Sequence, residues 1–357
     1  MNKKKVYLTL QNGTVFQGYS FGAKGDVCGE LVFTTGTVGY IETLTDSCNQ
    51  GQIVVQTFPL IGNYGMIYSD VENKKASVSA YVVREICDNP SNFRMDGDLE
   101  TYLKEQNVVG VYGVDTRQLT KILREEGTMN ARITSKPLKT DEIQALASYK
   151  PQTNLEKSKK GFYQAENAKG TLALWEFGSK RSTIEKLLAF GYNVMTLPFD
   201  ATAEEILATG AHGIVLSEGA GNPNDFTSIA AEVKKVLGEK PVLGLGLGHQ
   251  LVALALGAKV KKHKYGHRGS NQPVKCIADG KVYISTQNHG YVVMNDTVQE
   301  GVVSFINVND GSCEGIEYEA LKAITVQFTP DCCEIGNDEN PIYAKFFAMM
   351  EKEKENA

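Results

Sequence analysis

Apolar and polar residues alternate from the start of the chain. Val6, Leu8 and Leu10 share one face of a predicted strand, Asn12-Gly13 offers the residues of a tight hairpin turn, and Val15-Phe16 begins the return strand. Further short strands are predicted over residues 30–33, 53–58 and 78–83. Two helical patterns follow. One starts at Asp98 and places Leu99, Tyr102 and Leu103 together. The other covers Thr116–Glu126, with Leu119, Ile122 and Leu123 on one face and Gly127 as its stop. This half reads as a β-rich mixed domain.

After a polar, lysine-rich stretch the period changes. Residues 171–177, 193–197 and Gly213–Leu216 are apolar strand-like runs. Between them, Ser182-x-x-Glu185 and Thr202-x-x-Glu205 carry the spacing of capping boxes. The first would open a helix with Ile184, Leu187 and Leu188 on one side, ending at Gly191. A helix over 226–237 would turn Ile229, Val233, Val236 and Leu237 inward, and a late strand is predicted over 323–328. Strand and helix alternating in this way imply an α/β domain whose mostly parallel sheet is covered on both faces. Ligands of such sheets bind at the carboxyl ends of strands, where residues 217–223, Gly246 and 288–291 are expected to lie. The predicted organisation is a domain over 1–150, a linker over 151–170 and an α/β domain over 171–357.

Composition narrows the partners. A chain of 357 residues can bury a full core in each of two domains. Its 42% hydrophobic and 22% charged residues are ordinary for a globular protein. A net charge of −5 argues against a nucleic-acid or anionic-membrane partner. No apolar run approaches the ~20 residues of a membrane span, and Met1 is followed by Asn-Lys-Lys-Lys rather than by a signal peptide, so a cytoplasmic location is expected. The seven cysteines are odd in number and scattered, apart from Cys332-Cys333. They are expected to be reduced thiols, with no metal site in the chain.

The candidate chemistry centres on residues 241–250, Pro-Val-Leu-Gly-Leu-Gly-Leu-Gly-His-Gln. A short apolar strand runs into a glycine-dense turn, and a helix leaves it through Leu251 to Leu256. Strand, tight turn and helix start form a nucleophile elbow, in which the first N–H groups of the helix face a developing oxyanion. The apex, position 246, is glycine, which carries no nucleophile. A dinucleotide-binding loop is disfavoured, because His249 stands at the third glycine position and His267, Arg268 and Gly269 occupy the region where an acidic residue is required.

The elbow resembles the Gly-x-Cys-x-Gly-His-Gln stretch of the class I glutamine amidotransferases, with Gly246 at the nucleophilic cysteine. That resemblance covers about 170 to 350 and implies a flavodoxin-like α/β fold. Four stretches of the first half, 12–22 (NGTVFQGYSFG), 39–46 (GYIETLTD), 58–65 (FPLIGNYG) and 113–120 (GVDTRQLT), resemble the amino-terminal domain of carbamoyl-phosphate synthetase small subunits. In that family the small subunit hydrolyses glutamine and passes ammonia to a large subunit, for pyrimidine or arginine biosynthesis.

Carried over residue by residue, the resemblance implies a catalytic triad at Gly246, Thr329 and Asp331, where the family has cysteine, histidine and glutamate. Glutamine hydrolysis needs a thiolate, a base and an acid that orients the base. Glycine and threonine supply neither of the first two, aspartate is one methylene short, and no histidine follows His289. The implied glutamine shell is Gly219, Gly221, Leu247, Gln250, Asn288, Gly290 and Tyr291, with Cys48 where the family has a serine and Ala220 replacing a proline. Cys48 and Cys332 read as ordinary thiols rather than relocated nucleophiles, and His249 and His289 as structural hydrogen-bonders. The implied partner is the synthetase large subunit, in a heterodimer or larger assembly. ATP, bicarbonate and metal ions belong to that subunit, no cofactor is expected here, and glutamine is the possible ligand. The implied role is a small subunit deficient in glutaminase whose complex uses ammonia; the alternative is a non-catalytic glutamine-binding or scaffolding paralogue.

Overall fold

The computed structural model describes residues 4–151, 160–333 and 340–355, apart from the side chains of Cys332, Lys354 and Glu355. The chain divides into two compact units, Met1–Asn154 and Leu155–Ala357.

In the first unit Lys5–Leu10 and Val15–Gly22 pair antiparallel, with Thr9 opposite Val15. Gly13 turns the chain at a φ of 87°, and Asn12 Oδ1 accepts the Thr14 N–H at 3.0 Å. Seven strands close a barrel in the order Lys5–Leu10, Val15–Gly22, Val109–Tyr112, Ala80–Val82, Gln52–Gln56, Val27–Thr34 and Met129–Thr134. Closure removes exposed strand edges. Barrel residues Val32, Val54 and Tyr81 pack with Ile41, Leu44, Leu99 and Leu103 from the helices Tyr40–Thr45 and Leu99–Glu105. Asp98 and Asp115 cap their helices by accepting the Thr101 and Gln118 N–H groups. The strands expected over 53–58 and 78–83 are shorter, at Gln52–Gln56 and Ala80–Val82.

The second unit is built on a ten-stranded sheet. Its centre is parallel: Tyr192–Pro198, Gly170–Glu176, Gly213–Leu216, Val242–Leu245 and Ala323–Val326 lie side by side in that order. Antiparallel strands extend both flanks. Gly161–Tyr163, inside the stretch read as linker, pairs with Tyr192–Pro198. On the other side come Cys313–Tyr318, Val302–Asn307 and the long hairpin of Val260–Cys276 with Val282–Val293.

Successive residues of a strand face opposite ways, and both faces are covered here. Ala173 and Trp175 pack with Ile229, Val233 and Leu251 from the helices Thr227–Val236 and Leu247–Ala255. Leu172 and Leu174 pack with Leu187, Ile342 and Phe346 from Arg181–Ala189 and Pro341–Glu355. Continuous apolar strands are the consequence of this two-sided burial. Among the described residues no helix is long and apolar enough to cross a membrane.

Two local expectations change. Thr202 does close a capping box with Glu205. Ser182 does not cap its helix, because Lys180 is the N-cap and Ser182 lies inside the first turn. Residues 288–291 lie within the strand Val282–Val293 rather than after one. The strand continues because Arg268 and His267 of the preceding strand pair with Asn288 and His289.

Close packing fixes the elbow helix. A Cβ on Gly248 would overlap the Leu216 carbonyl oxygen, and one on Gly244 would meet Thr325 Cγ2 at 2.8 Å. Gly248→Ala is therefore expected to destabilise the chain by about 2–4 kcal/mol, read as a fall in the urea midpoint, because a backbone carbonyl cannot move aside cheaply. His249 is fully buried, and its Nδ1 lies 2.8 Å from Thr325 Oγ1, which itself donates to the Ile316 carbonyl. Burial lowers its pKa from 6.5 to about 3. A folded pKa below the unfolded one makes stability fall as pH drops from 6.5 toward 3, by at most about 1.4 kcal/mol per pH unit from this group. His249→Gln should flatten that part of the stability–pH curve in urea titrations.

Candidate functional site

Gly246 sits between the strand Val242–Leu245 and the helix Leu247–Ala255, with φ 52° and ψ −107°. Its N–H donates to the Val326 carbonyl at 2.9 Å, tying the apex to the neighbouring strand. The Gly248 N–H donates to the Ser217 carbonyl at 3.1 Å, tying the helix start to the loop after Gly213–Leu216. The Leu247 N–H is in the first helical turn and has no acceptor within the helix. The backbone is that of a nucleophile elbow, and its apex bears no side chain.

The loops beside it are close-set. A Cβ on Gly219 would overlap the Phe177 carbonyl oxygen, so only glycine allows this approach to the end of Gly170–Glu176. Gly221 has φ 113°, and Ala220 between them is buried. Gln250 is buried, with its amide donating to the Tyr291 carbonyl at 2.9 Å and to Gln327 Oε1 at 2.7 Å. Gln250 and Tyr291 are thus brought together, and the remaining polar atom of Gln250 is its carbonyl oxygen. Asn288 pairs with Arg268 across the hairpin, and a Cβ on Gly290 would stand 3.0 Å from Arg268 Nη2. Arg268, itself buried, donates from Nη1 to the Tyr265 carbonyl.

Thr329 follows the strand Ala323–Val326, which lies parallel to Val242–Leu245 with Val326 opposite Leu245. Apex and base position therefore emerge from the same ends of adjacent strands. The Thr329 N–H donates to the Thr286 carbonyl at 3.1 Å. Asp331 is exposed, and its Oδ1 lies 3.9 Å from Lys186 Nζ. Cys48 belongs to the first unit, in the turn Ser47–Asn49, and its N–H donates to Asp46 Oδ1. The side chain of Cys332 lies outside the described residues.

The sequence reading missed Glu218, buried beside the elbow. Its Oε1 accepts from Thr183 Oγ1 at 2.6 Å, and a Cβ on Gly246 would come within 3.1 Å of Glu218 Cβ. Position 218 is separated from 183 and 246 in the chain, so no local pattern signalled the contact. The polar network behind Asn288 and Tyr291 was missed for the same reason. His289 Nδ1 meets the Tyr291 carbonyl at 2.9 Å, as expected of a structural hydrogen-bonder. His267 reaches Asp310 from Nε2 at 2.9 Å and Glu314 from Nδ1 at 3.2 Å. Burial alone would lower the His267 pKa, but these two carboxylates raise it to about 9. Burial dominates at Glu314 and raises its pKa.

Comparison with known proteins agrees with this geometry over both units. Residues 8–133 match the family described as "Carbamoyl-phosphate synthase small chain, CPSase domain", and residues 173–349 match "Glutamine amidotransferase class-I". The carbamoyl phosphate synthase small chain of Clostridium perfringens is 42% identical over 347 residues, covering 96% of this chain and 98% of the relative. That of Caldanaerobacter subterraneus is 41% identical over 350 residues, with 97% and 96% covered. That of Bacillus anthracis is 41% identical over 354 residues, with 98% and 97% covered. The chain belongs to the carbamoyl phosphate synthase small chain family.

Proposed function

We propose that this chain is the small subunit of a carbamoyl-phosphate synthetase that has lost its glutaminase chemistry, and that the assembled complex makes carbamoyl phosphate from free ammonia. The carrying observation is the elbow backbone at φ 52° and ψ −107° with glycine at its apex. Threonine at 329 has no group that takes a proton near neutral pH, and Asp331 carries a carboxylate that pairs with Lys186. Removing one member of a hydrolytic triad costs roughly 10⁴–10⁶ in kcat, about 5–8 kcal/mol of barrier. With all three positions changed, the helix-start and loop N–H groups could stabilise an oxyanion but nothing would form one.

The rest of the chain supports a retained subunit rather than a decayed one. The match to small-chain relatives runs through the first unit as well as the second. Glycines 219 and 221, Gln250, Asn288 and Tyr291 remain as a shell that could hold glutamine without cleaving it. The role proposed here is to hold a large subunit in its working form, with ATP and bicarbonate bound by that partner.

The isolated chain is expected to release no glutamate from glutamine above background in a coupled assay. Turnover near 1 s⁻¹, an ordinary enzyme rate, would refute the reading. Gly246→Cys alone should stay inactive, because a thiol with pKa about 8.5 and no base is mostly protonated. Adding Thr329→His and Asp331→Glu supplies base and orienting acid. Activity should appear only when cysteine and histidine are both present. The triple variant should also melt lower, since a side chain at this φ and this close to Glu218 costs about 1–3 kcal/mol.

A further inference from the structure

Behind the strand that carries Asn288 and Tyr291, four electron-rich side-chain atoms converge: Gln287 Oε1, His289 Nε2, His267 Nδ1 and Glu314 Oε1. The separations are 3.0 Å from Gln287 to His289, 3.2 Å from His289 to His267, 3.2 Å from His267 to Glu314 and 3.8 Å from His289 to Glu314. All four residues are buried, and Glu314 is fully so.

The hydrogen bonds around this cage fix which atoms face inward. His289 Nδ1 points at the Tyr291 carbonyl, an acceptor, so its proton is there and Nε2 carries a lone pair. The Gln287 amide N–H donates to Ser285 Oγ at 3.0 Å, while the Ser285 hydroxyl donates to the Gln272 carbonyl at 2.9 Å. Turning the Gln287 amide over would set its oxygen against a hydroxyl whose proton is already used. Its oxygen therefore faces the His289 lone pair at 3.0 Å. Glu314 adds a carboxylate whose second oxygen, Oε2, is buried without a hydrogen-bond partner. The cage then sets three acceptor atoms around His267 Nδ1, whose hydrogen a bound ion would displace. The next donors stand at its limit: Asn307 Nδ2 is 3.5 Å from His267 Nδ1, and Ser312 Oγ is 3.3 Å from Glu314 Oε1 but 2.7 Å from Asp310 Oδ1.

We propose that this cage binds one divalent transition-metal ion, zinc by preference, through His267, His289, Glu314 and Gln287. Tetrahedral zinc at about 2.0–2.1 Å from each nitrogen and oxygen sets its ligands about 3.3 Å apart, inside the range observed. The outer shell suits the same ion. With Nδ1 on the metal, His267 keeps its proton on Nε2, which donates to Asp310 Oδ2 at 2.9 Å, and His289 donates its Nδ1 proton to a backbone carbonyl. Glu314 and Asp310 balance the two positive charges. A second grouping, His263, His267 and Asp310, does not suit an ion, because the Gly266 N–H donates to His263 Nδ1 and leaves the proton on the Nε2 that faces Asp310. The ligands come from the strands Val260–Cys276, Val282–Val293 and Cys313–Tyr318, so no spacing in the sequence shows the site. Its ion would clamp the strand bearing Asn288 and Tyr291, whether or not glutamine is turned over.

The full chain, stripped with a chelator and titrated with zinc, tests this. One zinc per chain and a melting temperature that rises with zinc are expected, with cobalt(II) giving the visible absorption of a tetrahedral site. Glu314→Gln should abolish binding. Asp310→Asn, on the half-exposed rim, should leave the fold intact and weaken binding about 10–100-fold. His263→Met should leave it unchanged. Folded wild-type chain that takes up no stoichiometric zinc overturns the proposal, as does binding that is lost in His263→Met and retained in Asp310→Asn.

Discussion

The site depends on the way one backbone turn is pinned between two neighbouring strands. The Gly246 N–H is bonded to the Val326 carbonyl and the Gly248 N–H to the Ser217 carbonyl, so apex and helix start cannot shift independently of the sheet. Residues 217–221, the elbow and Thr329 all leave the carboxyl ends of three adjacent parallel strands. The pinning uses only main-chain groups and does not depend on the side chain at 246.

Glycine at the apex also changes the energetics of the turn. At φ 52° an L side chain is strained, and the strain in an active elbow is offset by packing elsewhere. Glycine adopts that φ freely, and Glu218 Cβ lies 3.1 Å from where a Cβ at 246 would stand.

Much of this was legible in the chain. The helix Thr116–Glu126 was predicted to its ends, because Asp115 caps it and Gly127 stops it through local contacts. Continuous apolar strands announced the covered parallel centre, and the glycines at 244, 246 and 248 announced the elbow. Other features needed contacts between distant residues. Nothing local marks the closure of the first barrel, which brings Met129–Thr134 against Lys5–Leu10. The hairpin of Val260–Cys276 and Val282–Val293 is largely polar and carries register shifts, so its alternation is broken and its strands were not predicted. Ser182 had the right spacing for a cap, yet the N-cap is Lys180, two residues earlier. Glu218 and the histidine–carboxylate cage join residues tens of positions apart, beyond the reach of any periodicity.

Both units match small-chain relatives, and the second has the elbow, the glycine loop and the buried Gln250–Tyr291 contact, with glycine at the apex. The most direct measurement is carbamoyl phosphate formed by the chain reconstituted with the large subunit of its own organism, with glutamine or ammonium as nitrogen donor. Synthesis from ammonium and none above background from glutamine is the predicted result. Synthesis from glutamine at a rate comparable to that from ammonium would contradict it.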